Sequence, residues 1–133
     1  NDTATTEIYT GLYSSAASDV YKRQDIVARY GGEEFAIILP ETGIQLAHEV
    51  AERIRSKVEK QKLIFDDNTL GITVSIGLAS LSQIKFHMAK DKDQQTEDMA
   101  ESLDQLVLRK ADEALYQAKQ TGRNQVVIQK MAS

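Results

Sequence analysis

Two consecutive glycines between two strand-like runs constrain this chain more than any other feature. The runs cover residues 25–30 and 33–39, and Gly31 and Gly32 separate them. Because glycine adopts positive φ angles freely, this pair favours a tight turn between antiparallel strands. Pro40 ends the second run, since proline cannot donate a hydrogen bond to a neighbouring strand. The sequence therefore predicts a β-hairpin whose tip has little side-chain cover.

After this hairpin the chain changes between helical and strand-like spacing of its apolar residues. Thr42 is the predicted cap of the first helix, and Gly122 is the predicted stop of the second. From Asp25 the order of the patterns is ββαββαβ, which predicts an α+β fold with helices covering a sheet. The predicted elements after the hairpin are helices at 42–61 and 99–120, strands at 62–65, 70–81 and 125–129, and a solvated polar loop at 83–98.

Composition excludes several classes of function. The 133 residues include no cysteine, which excludes disulfide scaffolds and thiol nucleophiles, and two histidines cannot form a multi-histidine metal cluster. The 16 basic and 20 acidic residues give a net charge of −4, which disfavours a long nucleic acid as partner. The longest apolar run has five residues and cannot span a membrane. We expect a cytoplasmic domain, with any membrane anchor elsewhere in the parent protein.

The first 24 residues differ from the rest of the chain. They show no helical or strand period, and residues 12–24 resemble translated sequencing-adaptor read-through. The predicted organisation is therefore an unassigned segment at 1–24 that is non-native or disordered, a partial domain at 25–130, and a tail at 131–133.

Two carboxylates follow the glycine pair directly. Backbone N–H groups at a glycine turn can bind a phosphate, and Mg²⁺ prefers carboxylate and phosphate oxygens. Glu33 and Glu34 are neighbours on the predicted strand, so they point to opposite faces and cannot serve one ligand from the same side. From these residues alone, a hairpin that begins with solvated glutamates is the alternative, since such hairpins are common.

Four segments of the chain are informative together, and they are RYGGEEF at 29–35, TVSIGLA at 73–79, ADEALY at 111–116 and AKQTGRN at 118–124. Together they resemble the GGDEF-domain diguanylate cyclases, here in a GGEEF form. Their agreement in order and spacing is specific, and the resemblance extends from residue 25 to about residue 130. It implies a nucleotidyl-cyclase-like sheet and the condensation of two GTP into cyclic di-GMP with release of two pyrophosphates. It also implies a homodimer in which each subunit presents one GTP.

The resemblance implies roles for the residues of the hairpin. Gly31 and Gly32 would lie against the nucleotide, and Glu33 would bind the metal and accept the proton of the GTP 3′-hydroxyl. The implied cofactor is Mg²⁺, with Mn²⁺ as a substitute. Glu34 would have a secondary role in substrate binding. A carboxylate suits proton transfer where a cation stabilises the attacking oxygen.

Lys119 and Arg123 match the phosphate-contacting cations of the family. Both lie near the predicted end of the last helix. The alternative is that they only complement the negative end of the helix dipole, a contribution of a few tenths of a kcal/mol.

The family's inhibitory product site is matched only in part, by Lys22 and Asp25. Lys22 stands where the family has arginine, and lysine lacks the planar fork that binds guanine and phosphate edges. A solvated charge cluster is therefore the alternative at these two positions.

Residues 1–24 match no element of the family's amino-terminal part. That part includes a strand with a second metal-binding aspartate, as well as residues that recognise guanine. We therefore expect the sheet to lack its central strand and this fragment to be inactive by itself, although the parent domain would be a diguanylate cyclase. The alternative function is a catalytically inactive regulatory module that binds GTP or cyclic di-GMP.

Overall fold

The computed structural model describes residues 2–11, 26–29, 33–90 and 101–130. Five strands form the main sheet in the order β2-β3-β1-β6-β7, and β4 and β5 form a separate hairpin. In the main sheet β2 is antiparallel to β3, whereas the other neighbours are parallel. The elements are β1 Asp2–Gly11, β2 Ile26–Arg29, β3 Glu34–Pro40, α1 Ile44–Lys60, β4 Lys62–Phe65, β5 Asn68–Gly71, β6 Thr73–Ser80, α2 Leu81–Lys90, α3 Leu103–Gln120 and β7 Val126–Ile128.

Strand β6 is covered by helices on both faces of the sheet. Its residues Val74, Ile76 and Leu78 belong to an apolar cluster with α1. Ala79 points to the opposite face of the sheet and belongs to a second cluster with α2 and α3. This alternation explains why the strand is buried from residue 74 to residue 80. The predicted α+β fold is confirmed.

Helix α3 crosses β6 at Gly77. A Cβ atom at this position would lie less than 3.0 Å from backbone atoms of Ala111 and Leu115. Ala111 and Ala114 are fully buried, and their small side chains allow the helix to approach the sheet closely. The close packing of α3 on β6 therefore depends on a residue without a side chain at position 77.

The main difference from the sequence prediction is β1. We predicted no strand before Asp25 and a sheet without its central strand, but β1 lies between β3 and β6. Residues 2–11 are rich in threonine and include Ile8 and Tyr9, types that favour extended backbone. Because β1 pairs with both β3 and β6, neither of these strands has an unpaired edge on that side.

Helix α2 occupies the start of the region predicted as a solvated loop at 83–98. Ile84 is 1 % exposed and packs in one cluster with Leu106 and Val107 of α3. Leu81 and Met88 of α2 also pack against this cluster, so apolar contacts anchor the helix. Residues 91–98 lie outside the described residues.

The predicted long strand at 70–81 is divided. Its first part pairs with β4, and its second part is β6 of the main sheet. Asp66 and Asp67, at the tip of the β4–β5 hairpin, have φ angles of 53° and 65°. Two consecutive positive φ angles are what a tight hairpin turn requires.

The helix ends correct two predictions and confirm one. Gly43, not Thr42, is the N-cap of α1, and the Thr42 hydroxyl donates to the carbonyl of Pro40 at 2.9 Å. Helix α3 begins after Ser102, which forms a capping box with Gln105, rather than at residue 99. Gly122, with a φ of 122°, ends α3 as predicted.

Candidate active site

The parallel strands β3, β1, β6 and β7 begin at the same edge of the main sheet, and the candidate residues lie near this edge. Glu34, the first residue of β3, pairs with Thr5 of β1, and Thr5 pairs with Ser75 of β6. Two strand spacings separate Glu34 from Ser75, about 10 Å. The connection before β3 and the loop at 121–125 before β7 both lie at this edge.

The carboxylate side of this edge is the end of the β2–β3 hairpin. Arg29 pairs with Phe35, whereas the predicted two-residue turn would pair Arg29 with Glu34, so the register of the strands differs by one residue from the prediction. Glu33 consequently precedes the strand and is exposed, whereas Glu34 begins the strand and is half-buried. The two carboxylates therefore have different environments. Gly31 and Gly32 lie outside the described residues, as do Lys22 and Asp25.

The cationic side is the end of α3. Lys119 is half-buried in the last helical turn, and Arg123 is exposed with a φ of 62°. The backbone N–H of Arg123 donates to the carbonyl of Ala118 at 2.9 Å, the hydrogen bond of a Schellman motif. The helix end thus fixes where the backbone of Arg123 lies relative to Lys119.

Two residues that support this loop were missed by sequence reasoning. Ser75 is fully buried, and its hydroxyl accepts a hydrogen bond from the backbone N–H of Asn124 at 3.1 Å. Arg55 donates to the side-chain oxygen of Asn124 at 3.0 Å. The sequence signal at Arg55 was its spacing from Glu52 and Glu59, which indicates ion pairs within a helix but not a contact 69 residues away.

Asp112 lies two helical turns before Lys119. Burial raises the pKa of the Asp112 carboxyl, and the positive charge of Lys119 opposes this shift. The carboxyl is therefore a half-buried acid on α3 whose pKa also depends on the charge of Lys119.

Glu33 offers one carboxylate to a metal ion that is bound together with a substrate. Among the residues that the structure describes, no group of three or more His, Cys, Asp or Glu side chains could hold a metal. Mg²⁺ commonly takes one or two protein carboxylates and completes its shell with water and substrate phosphates. The exposed carboxylate of Glu33 can supply one such ligand.

A carboxylate-bearing hairpin and a cation-bearing loop at one sheet edge define a domain suited to phosphate ligands. The family model for the diguanylate cyclase GGDEF domain matches residues 13–125. The chain therefore belongs to the GGDEF-domain family, and the resemblance inferred from the four segments is confirmed.

Curated relatives agree with this assignment. The chain is 37% identical to Diguanylate cyclase A of Treponema denticola over 109 residues, which cover 82% of this chain and 25% of that protein. It is 37% identical to Diguanylate cyclase DosC of Escherichia coli over 118 residues, which cover 88% of this chain and 22% of that protein. The chain thus spans a quarter or less of the length of these relatives.

A solved structure confirms the fold. The crystal structure of the GGDEF domain of DgcB from Caulobacter crescentus, in complex with c-di-GMP, matches with a TM-score of 0.61 and 33% sequence identity. The match covers 80% of this chain and 53% of that chain. Within the described parts of the chain, none of the helices has the length and apolar character needed to cross a membrane.

Proposed function

We propose that the parent domain is a diguanylate cyclase that condenses two GTP into cyclic di-GMP and releases two pyrophosphates. The observation that carries this proposal is the arrangement of one sheet edge, where Glu33 directly precedes β3, Lys119 lies in the last turn of α3 and Arg123 lies in the loop before β7. Three strand spacings, about 15 Å, separate the start of β3 from the start of β7, a span that a ligand with a chain of phosphates would bridge. The curated relatives named as diguanylate cyclases support the reaction.

In this proposal the residues of the chain position the reactants and handle charge. Glu33 accepts the proton of the 3′-hydroxyl, whose oxygen attacks the α-phosphorus of the second GTP while pyrophosphate leaves. Lys119 and Arg123 bind the phosphates, and Gly31 and Gly32 let the nucleotide approach the backbone. A bound Mg²⁺ or Mn²⁺ would stabilise the negative charge on the attacking oxygen and the α-phosphate.

The reaction implies a homodimer. Each 3′-hydroxyl attacks the α-phosphorus of the other GTP, so two sites must face each other for both bonds to form. We propose that two copies of the domain associate through this edge in the cytoplasm, where GTP and Mg²⁺ are available. Lys22 and Asp25 remain the predicted product site, weakened by the lysine in place of arginine.

The fragment by itself is proposed to be inactive, since no residue in 1–24 matches the family's second metal-binding aspartate. We expect no cyclic di-GMP from the purified 133-residue chain with GTP and Mg²⁺. We expect product when the domain is completed with the corresponding upstream segment of Diguanylate cyclase A, because that segment would add the second metal ligand. Chromatography of the nucleotides measures both results. Product from the chain alone would refute its inactivity.

A binding module without turnover is the second candidate function. It is favoured by the same lack of matching residues in 1–24. If the completed domain binds GTP but forms no cyclic di-GMP and releases no pyrophosphate, the binding module replaces the cyclase. Pyrophosphate release together with cyclic di-GMP supports the cyclase.

A further inference from the structure

Arg55 connects α1 to the loop that carries the proposed phosphate-binding cations. Its side chain is 18% exposed, and its Nη1 atom donates to Oδ1 of Asn124 at 3.0 Å. The same Nη1 atom donates to Glu59 at 2.8 Å, and Nη2 donates to Glu52 at 3.1 Å. The guanidinium thus joins two carboxylates of one helix to an amide that lies 69 residues further along the chain.

All three nitrogens of this guanidinium are engaged, since Nε also donates to Glu52 at 3.3 Å. Hydrogen bonds to Glu52 and Glu59 raise the pKa of Arg55. Hydrogen bonds from Arg55 and Asn124 lower the pKa of Glu59. Arg55 with its two glutamates carries a net charge of −1, so this cluster is not itself suited to bind a phosphate.

Asn124 is held from two sides in an unusual backbone conformation. Its φ is 48° and that of Arg123 is 62°, a left-handed region that costs free energy for residues other than glycine. The backbone N–H of Asn124 donates to the fully buried hydroxyl of Ser75, while its side chain accepts from Arg55. These two contacts can maintain two consecutive left-handed residues.

We propose that Arg55, acting through Asn124, is a positioning residue that fixes Arg123 for phosphate binding. This inference rests on the proposed function, because it takes Arg123 as a phosphate contact. Arg55 is suited to the task because its planar fork can bind Glu52, Glu59 and Asn124 at once. Lysine would keep the charge but could not present donors to all three acceptors in one geometry.

The test compares Arg55→Met and Arg55→Lys with a control, Lys57→Gln, in the purified 133-residue chain. Lys57 is an exposed cation on α1, so its substitution removes one positive charge from the same helix. Amide hydrogen exchange at residues 123 and 124 reports the loop, and exchange at Leu78 reports the core. Calorimetric titration with Mg²⁺ and GTP reports the phosphate site.

We expect both Arg55 variants to speed exchange at Arg123 and Asn124 about tenfold, without a similar change at Leu78. We expect both to weaken GTP binding about tenfold, because a misplaced contact loses most of its binding contribution. Lys57→Gln should match the wild type in both measurements. If Arg55→Lys behaves like the wild type, only the charge matters and the positioning role is refuted.

Asn124→Gly provides a second variant that keeps the left-handed backbone but removes the side-chain acceptor. Combined with Arg55→Met, it should add little to the effect of either change, because both remove the same contact. Additive effects would overturn the inference. If the wild type does not bind GTP, the proposed function fails, whereas the exchange rates at 123 and 124 still decide whether Arg55 positions the loop.

Discussion

Replacing Gly77 by alanine is expected to lower the free energy of unfolding by about 3 kcal/mol, the upper part of the range for overpacking. A new Cβ would meet the backbone of Ala111 and Leu115, which cannot move aside as a side chain can. Either α3 or β6 must shift, and β6 is buried on both faces. Domains of this kind have about 5–15 kcal/mol of total stability, so the loss is large. Urea denaturation followed by circular dichroism measures it.

Gly43→Ala is the matched control for this substitution. Gly43 is the N-cap of α1 with a φ of −71°, and a Cβ there would meet nothing within 4 Å. We expect a change of less than about 1 kcal/mol, since lower flexibility of the unfolded chain offsets a weaker cap. Equal effects of the two substitutions would contradict the close crossing of α3 over Gly77.

Replacing Glu33 by glutamine is expected to lower the turnover of the completed domain about 10²- to 10⁴-fold. Glutamine keeps the shape of the side chain, but it cannot accept the proton and is a poorer metal ligand. Glu33 is exposed, so the substitution should leave the stability of the domain nearly unchanged. The measurement is the initial rate of pyrophosphate release at saturating GTP and Mg²⁺.

Glu49→Gln is the control for the lost negative charge. Glu49 is exposed on α1 and lies outside the proposed site. The turnover of the Glu49→Gln variant should therefore stay within about twofold of the wild type. Unchanged turnover in Glu33→Gln would refute the role given to this carboxylate. An equal loss in both variants would show that net charge, rather than the position of Glu33, controls the rate.

Local patterns were sufficient to predict much of the fold. The alternation of Val74, Ile76 and Leu78 with small or polar residues predicted a strand, and Gly122 predicted the end of α3. Both signals depend only on neighbours in sequence. The contact made by Ile84 does not, because α3 supplies its partners, and the polar composition around it therefore suggested a loop. Strand β1 was missed because its position between two other strands, not a period of its own, stabilises it.

The candidate site was likewise predicted only in part. The motif identified Glu33, Lys119 and Arg123 as candidates, because those residue types follow or precede glycines at recognisable spacing. It gave no indication that Arg55 contacts Asn124, since this contact arises only when α1 and the end of α3 pack against the same sheet. The register of the β2–β3 hairpin also differs from the one that the glycine pair predicted.

In the proposed mechanism, the β2–β3 hairpin with Glu33 and the loop with Arg123 bind one nucleotide together with a metal ion. The most direct test is calorimetric titration of GTP into the 133-residue chain, with Mg²⁺ and then with excess chelator. We predict saturable binding that requires Mg²⁺, is lost in Glu33→Gln, and weakens about tenfold in Arg123→Gln, as for one charge-assisted hydrogen bond. Binding that is equally strong without Mg²⁺ and in both variants would contradict a nucleotide site formed by these two residues and a metal ion.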